Sequence, residues 1–170
     1  KDWFTIRTRT RAHFFSCPLM GKREAGSKGT VVKKQCVLAS WVGGNDLKAV
    51  AGAEAGPILA TLNTVSFDSV ELLCSYPAER VEPYLAWLRD QVDVAITAHY
   101  VSLSSPVHFG EIYQAASQHL KRLNTPANQL SILLSPGTPA MQAVWILLGK
   151  TRYPATFYQS SLEQGVQQVE

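Results

Sequence analysis

The chain has 170 residues, 46% of them hydrophobic and 17% charged, with a net charge of +3. That length and balance fit one domain with a substantial core, which excludes a disordered or fibrous chain. No run approaches the ~20 apolar residues needed to cross a bilayer, so no membrane partner is expected.

The charge is unevenly spread. Residues 1–35 hold nine Lys/Arg against Asp2 and Glu24, a net of +7, which leaves residues 36–170 at −4. Residues 3–11 are interleaved with arginines and lack the apolar stretch of a signal peptide. Arg7, Arg9 and Arg11 alternate with Thr8 and Thr10, as in an edge strand, an arm touching nucleic acid, or a solvated terminus. Residues 22–34 are rich in Gly, Ser and Lys and read as linker, and Met20 offers an alternative start. The expected division is a basic extension over 1–35 and a folded domain over 36–170. Cys17, Cys36 and Cys74 are odd in number and widely spaced. They read as buried thiols of a cytoplasmic protein rather than as disulfides or zinc ligands.

Residues 36–42 form an apolar strand interrupted only by Ser40, and it ends at Gly43-Gly44-Asn45-Asp46, a polar turn. Residues 49–63 give a helix signal obstructed by Gly52, Gly56 and Pro57. A second strand follows over 66–75. Residues 77–92 are an amphipathic helix with Val81, Leu85 and Leu88 inward. A third strand spans 96–103 and stops at Ser104-Ser105-Pro106; a third helix spans 108–123. Residues 130–134 are a short apolar strand broken by Ser135-Pro136-Gly137. Thr138 is placed to cap the next helix, with Pro139 at its first position. That helix, 140–148, has Gln142 as its only polar side chain, and a last strand covers 155–158. Alternating strands and helices predict an α/β fold: a doubly wound, mainly parallel Rossmann-like sheet flanked by helices, with right-handed crossovers.

In such a sheet the carboxyl ends of the strands share one edge, where ligands bind. Three strand ends deliver Gly43, Gly44, Asn45, Asp46, Ser104, Ser105, Ser135, Gly137 and Thr138 to it, with Trp41 as a stacking surface. Hydroxyls, an amide and a helix N-terminus suit a phosphate or nucleotide. The plainer alternative is that the turns only cap helices. Neither G-x-G-x-x-G nor a P-loop occurs. The histidines His13, His99, His108 and His119 have no metal-ligand spacing, and there is no nucleophile elbow. Asp46 is the only carboxylate at the rim, weak material for acid–base catalysis. The inventory gives a protein that binds without transforming: no catalytic residue, no metal, no cofactor.

The stretch 131–161, SILLSPGTPAMQAVWILLGKTRYPATFYQSS, resembles the C-terminal half of CARF-type Rossmann-like sensor domains. It is most similar to the version that opens sigma-54-dependent transcriptional activators of the RNA-repair operon regulator type. The matching features are Gly137-Thr138, the helix with Trp145, Arg152-Tyr153 and Gln159-Ser160-Ser161. The segment 101–113, VSLSSPVHFGEIY, is similar to that family's strand-to-helix passage, and residues 41–46 occupy its first ligand loop. The likeness spans about 36–170, weakest over 49–93, and departs at Pro136, where many members have glycine. It implies a ligand-sensing regulatory domain, with a cyclic oligoadenylate or RNA-end ligand in the crevice of a homodimer. Attached or partner AAA+ ATPase and DNA-binding domains would act on sigma-54 RNA polymerase. The sequence would then be a sensor domain cut from a longer regulator, or a standalone relative. The alternative within the family is a CRISPR-associated domain that binds cyclic oligoadenylate or cleaves it as a ring nuclease. Separately, the helix 140–148 is apolar nearly all round, which predicts one face on the sheet and another in a two-fold dimer.

Overall fold

The computed structural model describes residues 15–16, 33–52 and 54–170; the alternating arginines of the first dozen residues lie outside them. A two-residue strand, β1 (Phe15–Ser16), pairs in parallel with β3 (Val65–Ser66). The main sheet has six strands in the order β5-β4-β2-β6-β7-β8. These are β2 (Gln35–Trp41), β4 (Ser69–Cys74), β5 (Ala95–Tyr100), β6 (Asn128–Leu133), β7 (Ala155–Ser161) and β8 (Gly165–Val169). All neighbours run parallel except β7 and β8. The chain therefore steps outward from β2 through β4 to β5, then returns to the other side of β2. The switch point falls between β2 and β6.

Helices cover both faces, as the doubly wound reading requires. Val37, Ala39 and Trp41 of β2 meet α4 (Phe109–Leu123) and α5 (Pro139–Thr151), whose Ile112, Ala116, Leu120, Val144, Trp145 and Leu148 are buried. Leu38 and Val42 face the opposite way, toward α2 (Pro57–Thr64) and α3 (Ala78–Gln91). Period-two alternation thus divides a continuous apolar strand between two cores. Reciprocal bonds pin β2 to the start of β4: the Cys36 N–H donates to the Asp68 carboxylate at 2.7 Å, and the Asp68 N–H to the Cys36 carbonyl at 2.8 Å.

Two stretches differ from the sequence expectation. The helix expected over 49–63 is two pieces, a 3-10 turn (Ala49–Ala51) and α2, and the polar turn expected at 43–46 is already helical as α1 (Gly44–Lys48). Gly52 ends the 3-10 turn at φ +82°, a left-handed conformation that favours glycine, and Pro57 opens α2 at its first position. The chain also adds β8, which the sequence signals only weakly, since Val166 and Val169 are three apart and do not alternate.

Helix α5 lies close to the sheet at Gly149. A Cβ there would stand 2.6 and 2.9 Å from Phe157 ring carbons and 3.2 Å from Ile132 Cδ1. Alanine gains up to about 1 kcal/mol in helix propensity. Overpacking against an enclosed ring costs about 1–3 kcal/mol, so the clash wins. Gly149→Ala should lower the urea midpoint; an unchanged or raised midpoint would show that Phe157 can give way.

Candidate functional site

The loops after β2 and β6 touch at the switch point. A Cβ on Gly43 would stand 3.1 Å from the Gly137 nitrogen and 3.2 Å from Pro136 Cβ, so this close approach favours glycine. Gly137 itself takes φ +96°. The β5–α4 loop joins them, because the Thr138 hydroxyl donates to the Pro106 carbonyl at 2.7 Å. Three strand ends therefore meet at one edge.

Asp46 holds this corner from beneath. It is fully buried, and its carboxylate accepts from the Gly43 N–H and the Ile58 N–H, both at 3.0 Å. One side chain thus ties the β2 loop to the first turn of α2. Gly56 allows it, since a Cβ there would fall 2.5 Å from Asp46 Oδ1. Burial pushes the Asp46 carboxyl up to about 6, against the lowering effect of those N–H donors.

Beside the joined loops lies a concavity of about 610 Å³ lined by Asn45, Lys48, Glu54, Ala55, Gly56, Pro57, Ser135, Ser160, Ser161 and Leu162. Ser135 Oγ accepts from the Ser160 N–H at 2.6 Å, which locks the ends of β6 and β7 together. Lys48 is exposed and supplies a cation to the lining; Glu54, exposed as well, supplies an acid. Among the described residues no group of three His, Cys, Asp or Glu side chains could hold a metal ion.

Of the residues expected at the site, Asn45 and Ser135 line the concavity, while Gly43, Gly44, Gly137 and Thr138 belong to the two loops at the switch point. The others do different work. Trp41 is 0% exposed and packs on Trp145 with ring centroids 6.0 Å apart, so its role as a stacking surface is corrected to a core role. Asp46 is corrected from a rim carboxylate to a buried tie. Ser104 gives its N–H and hydroxyl to Glu111 at 2.6 and 2.8 Å, and Ser105 Oγ accepts from the Val107 N–H. These serines shape the start of α4, where His108 caps by accepting the Glu111 N–H. The Thr138 hydroxyl accepts the Met141 N–H and spends its hydrogen on Pro106, so it has none to donate to an anion.

Sequence reasoning did not place Lys48, Ser160 or Ser161 among the candidate ligand residues, although Ser160 and Ser161 belong to the stretch that carries the resemblance. A signal existed for the serines, which close a strand parallel to the one ending at Ser135. Lys48 was hidden because the turn after β2 is already helical at Gly44.

No protein-family description matches the chain, and no curated protein matches it. Solved structures do. The chain is similar to Enterococcus italicus Csm6 bound to cyclic hexa-2'-fluoro-hexa-dAMP, with a TM-score of 0.62 and 16% identity over 78% of this chain and 35% of that one. It is also similar to a type III CRISPR defence DNA nuclease activated by cyclic oligoadenylate, with a TM-score of 0.50 and 19% identity over 87% of this chain and 23% of that one. The likeness is one of fold. The chain spans about a third or less of the length of those proteins.

Proposed function

We propose that this domain is a CARF-like sensor that binds a cyclic oligoadenylate in the concavity beside the joined β2 and β6 loops. The observation that carries this reading is the Gly43–Gly137 approach at the switch point, next to a polar hollow holding Asn45, Lys48, Ser135, Ser160 and Ser161. Ligands of open α/β sheets bind at that place. The fold likeness supports the ligand class, because Csm6 carries a cyclic hexanucleotide analogue and the second protein is activated by cyclic oligoadenylate. It favours the cyclic-oligoadenylate reading over the sigma-54 activator reading, which rests on the resemblance of residues 131–161. In this reading Lys48 meets a phosphate, Asn45 and the serines meet sugar or base edges, and the domain binds without cleaving.

Calorimetry with cyclic tetra- and hexaadenylate, and with RNA ending in a 3'-phosphate or cyclic phosphate, tests this. Charge-assisted bonds are each worth roughly 1.5–3 kcal/mol, so Lys48→Ala should weaken binding about tenfold or more. Equal affinity in wild type and a Lys48→Ala, Asn45→Ala double variant would place the ligand elsewhere. Preference for RNA ends would restore the RNA-repair regulator reading, and linear products would make the domain a ring nuclease.

The ligand face is proposed to be completed by a second copy. Helix α5 buries Met141, Val144, Trp145 and Leu148 but leaves Ile146 and Leu147 41% and 43% exposed. Val107 and Phe109, beside the Pro106–Thr138 tie, are exposed too. Leu147→Glu should shift a sedimenting dimer toward monomer by at least tenfold in dissociation constant, since an unpaired charge is costly in an apolar contact. Monomeric wild type at tens of micromolar would end the dimer proposal.

A further inference from the structure

The face of β5 that looks toward α4 is open. His99 on β5 and Leu73 on β4 help to floor a cleft of about 1010 Å³, with one side of α4 as its wall. It lies at the β5 edge of the sheet, whereas the concavity described above lies beside β6 and β7.

Its polar groups are already organised. Arg122 Nη2 stands 3.1 Å from His119 Nδ1 and 3.5 Å from His99 Nδ1. A guanidinium only donates, so both rings accept at Nδ1 and carry hydrogen at Nε2, a tautomer assigned from the partners. The two Nε2–H groups then point at Glu71: from His99 to its carboxylate at 2.6 Å, and from His119 to its carbonyl at 3.4 Å. Both imidazoles thus prop the guanidinium. Burial, with the neighbouring His99 and Arg122, pushes the His119 imidazole down to about 3, in keeping with that assignment.

This network engages one nitrogen of Arg122 and leaves the rest of the fork without a partner among the described residues, and the same holds for Lys121. The nearby carboxylates keep their charge but are already hydrogen-bonded elsewhere, Glu71 to His99 and Glu111 to Ser104, and neither pairs with Arg122 or Lys121 among the described residues. Gln114 and Gln118 add neutral amides to the wall.

We propose that this cleft is a second ligand site, one that takes a phosphate monoester of nucleotide size. Two adjacent unpaired cations match a dianion better than a single carboxylate. A guanidinium already propped by two rings loses little freedom when it forks onto phosphate oxygens. The volume exceeds what a bare ion needs and falls in the range of small-molecule sites. The proposal does not depend on the cyclic-oligoadenylate reading.

The test follows the His99 and His119 imidazole NMR signals of the whole chain at about pH 7.5, where unperturbed histidine is mostly neutral. Inorganic phosphate, adenosine 5'-monophosphate and a polyglutamate peptide are titrated separately. Saturable shifts are expected with the monophosphate, about tenfold tighter than with inorganic phosphate. Arg122→Gln and the exposed Lys121→Gln should each weaken it about tenfold or more, while Lys48→Ala leaves it within about twofold. Absence of shifts up to roughly 10 mM monophosphate, or undiminished shifts in Lys121→Gln, would overturn the site. Equal affinity for inorganic phosphate would overturn the nucleotide-size claim. Shifts with polyglutamate alone would reassign the cleft to an acidic protein partner.

Discussion

Truncating Trp145 to alanine should remove about 3–5 kcal/mol of folding stability, the usual cost of emptying a fully buried aromatic site. The ring is 0% exposed and touches both Trp41 and His119, with centroids 6.0 and 6.4 Å away. Collapse cannot fill the hole cheaply, because Trp41 is itself enclosed and β2 runs beneath it. Trp145→Phe should behave differently. The indole N–H groups of Trp41 and Trp145 have no hydrogen-bond partner among the described residues. An unmade buried donor costs about 1–3 kcal/mol, so phenylalanine recovers that while losing ring volume, and the net change should stay within about 1.5 kcal/mol. Urea unfolding of the two variants checks the contrast. Equal losses would mean that ring size decides the matter and the orphaned N–H does not.

The second large effect is a pH dependence centred on Asp46. Its carboxyl titrates near 6 in the folded chain against an ordinary value of 3.8. The folded state therefore holds a proton that the unfolded state has released across the interval from about 4 to 6. Stability from this group is complete below the unfolded value and is lost as pH rises through the folded one. Two units correspond to about 3 kcal/mol. Asp46→Asn removes the titration and keeps one acceptor for Gly43 or Ile58, at a cost of about 1–3 kcal/mol for the bond not made. The wild-type advantage over Asp46→Asn should then shrink by about 2 kcal/mol between pH 4 and pH 7. A constant gap would show that the carboxyl is not held up by its burial.

How far these features could be read from residues alone varies along the chain. The strands containing Val37 to Trp41 and Leu130 to Leu133 were legible because both faces of a central parallel strand are buried and the run is apolar throughout. Helix α5 was legible by its Thr138 cap and Pro139, and the cap is made: Thr138 Oγ1 accepts the Met141 N–H at 3.3 Å. The region from Gly44 to Thr64 was not, because a long-range bond from Ile58 to Asp46 sets its shape. Local propensity cannot see a partner twelve positions away. The site was half legible for the same reason. Polar residues at strand ends were correctly brought to one edge, but whether each faces solvent or serves the loop depends on contacts such as Ser104 with Glu111 and Thr138 with Pro106. Trp41 was misjudged because a strand-end aromatic looks the same in sequence whether it caps the core or lines a crevice.

The pairing of β2 with β6 also bears on how the molecule comes to exist. Val37 and Leu130 sit side by side although roughly ninety residues separate them, and contacts of such span are slow to form. The unit of β2, β4 and β5 with its helices draws on nearer neighbours, so the expected order is that it assembles first and β6 inserts against β2 afterwards. The Gly43–Gly137 approach can appear only at that closing step. Any ligand that touches both loops would bind only the completed fold and would stabilise it by mass action.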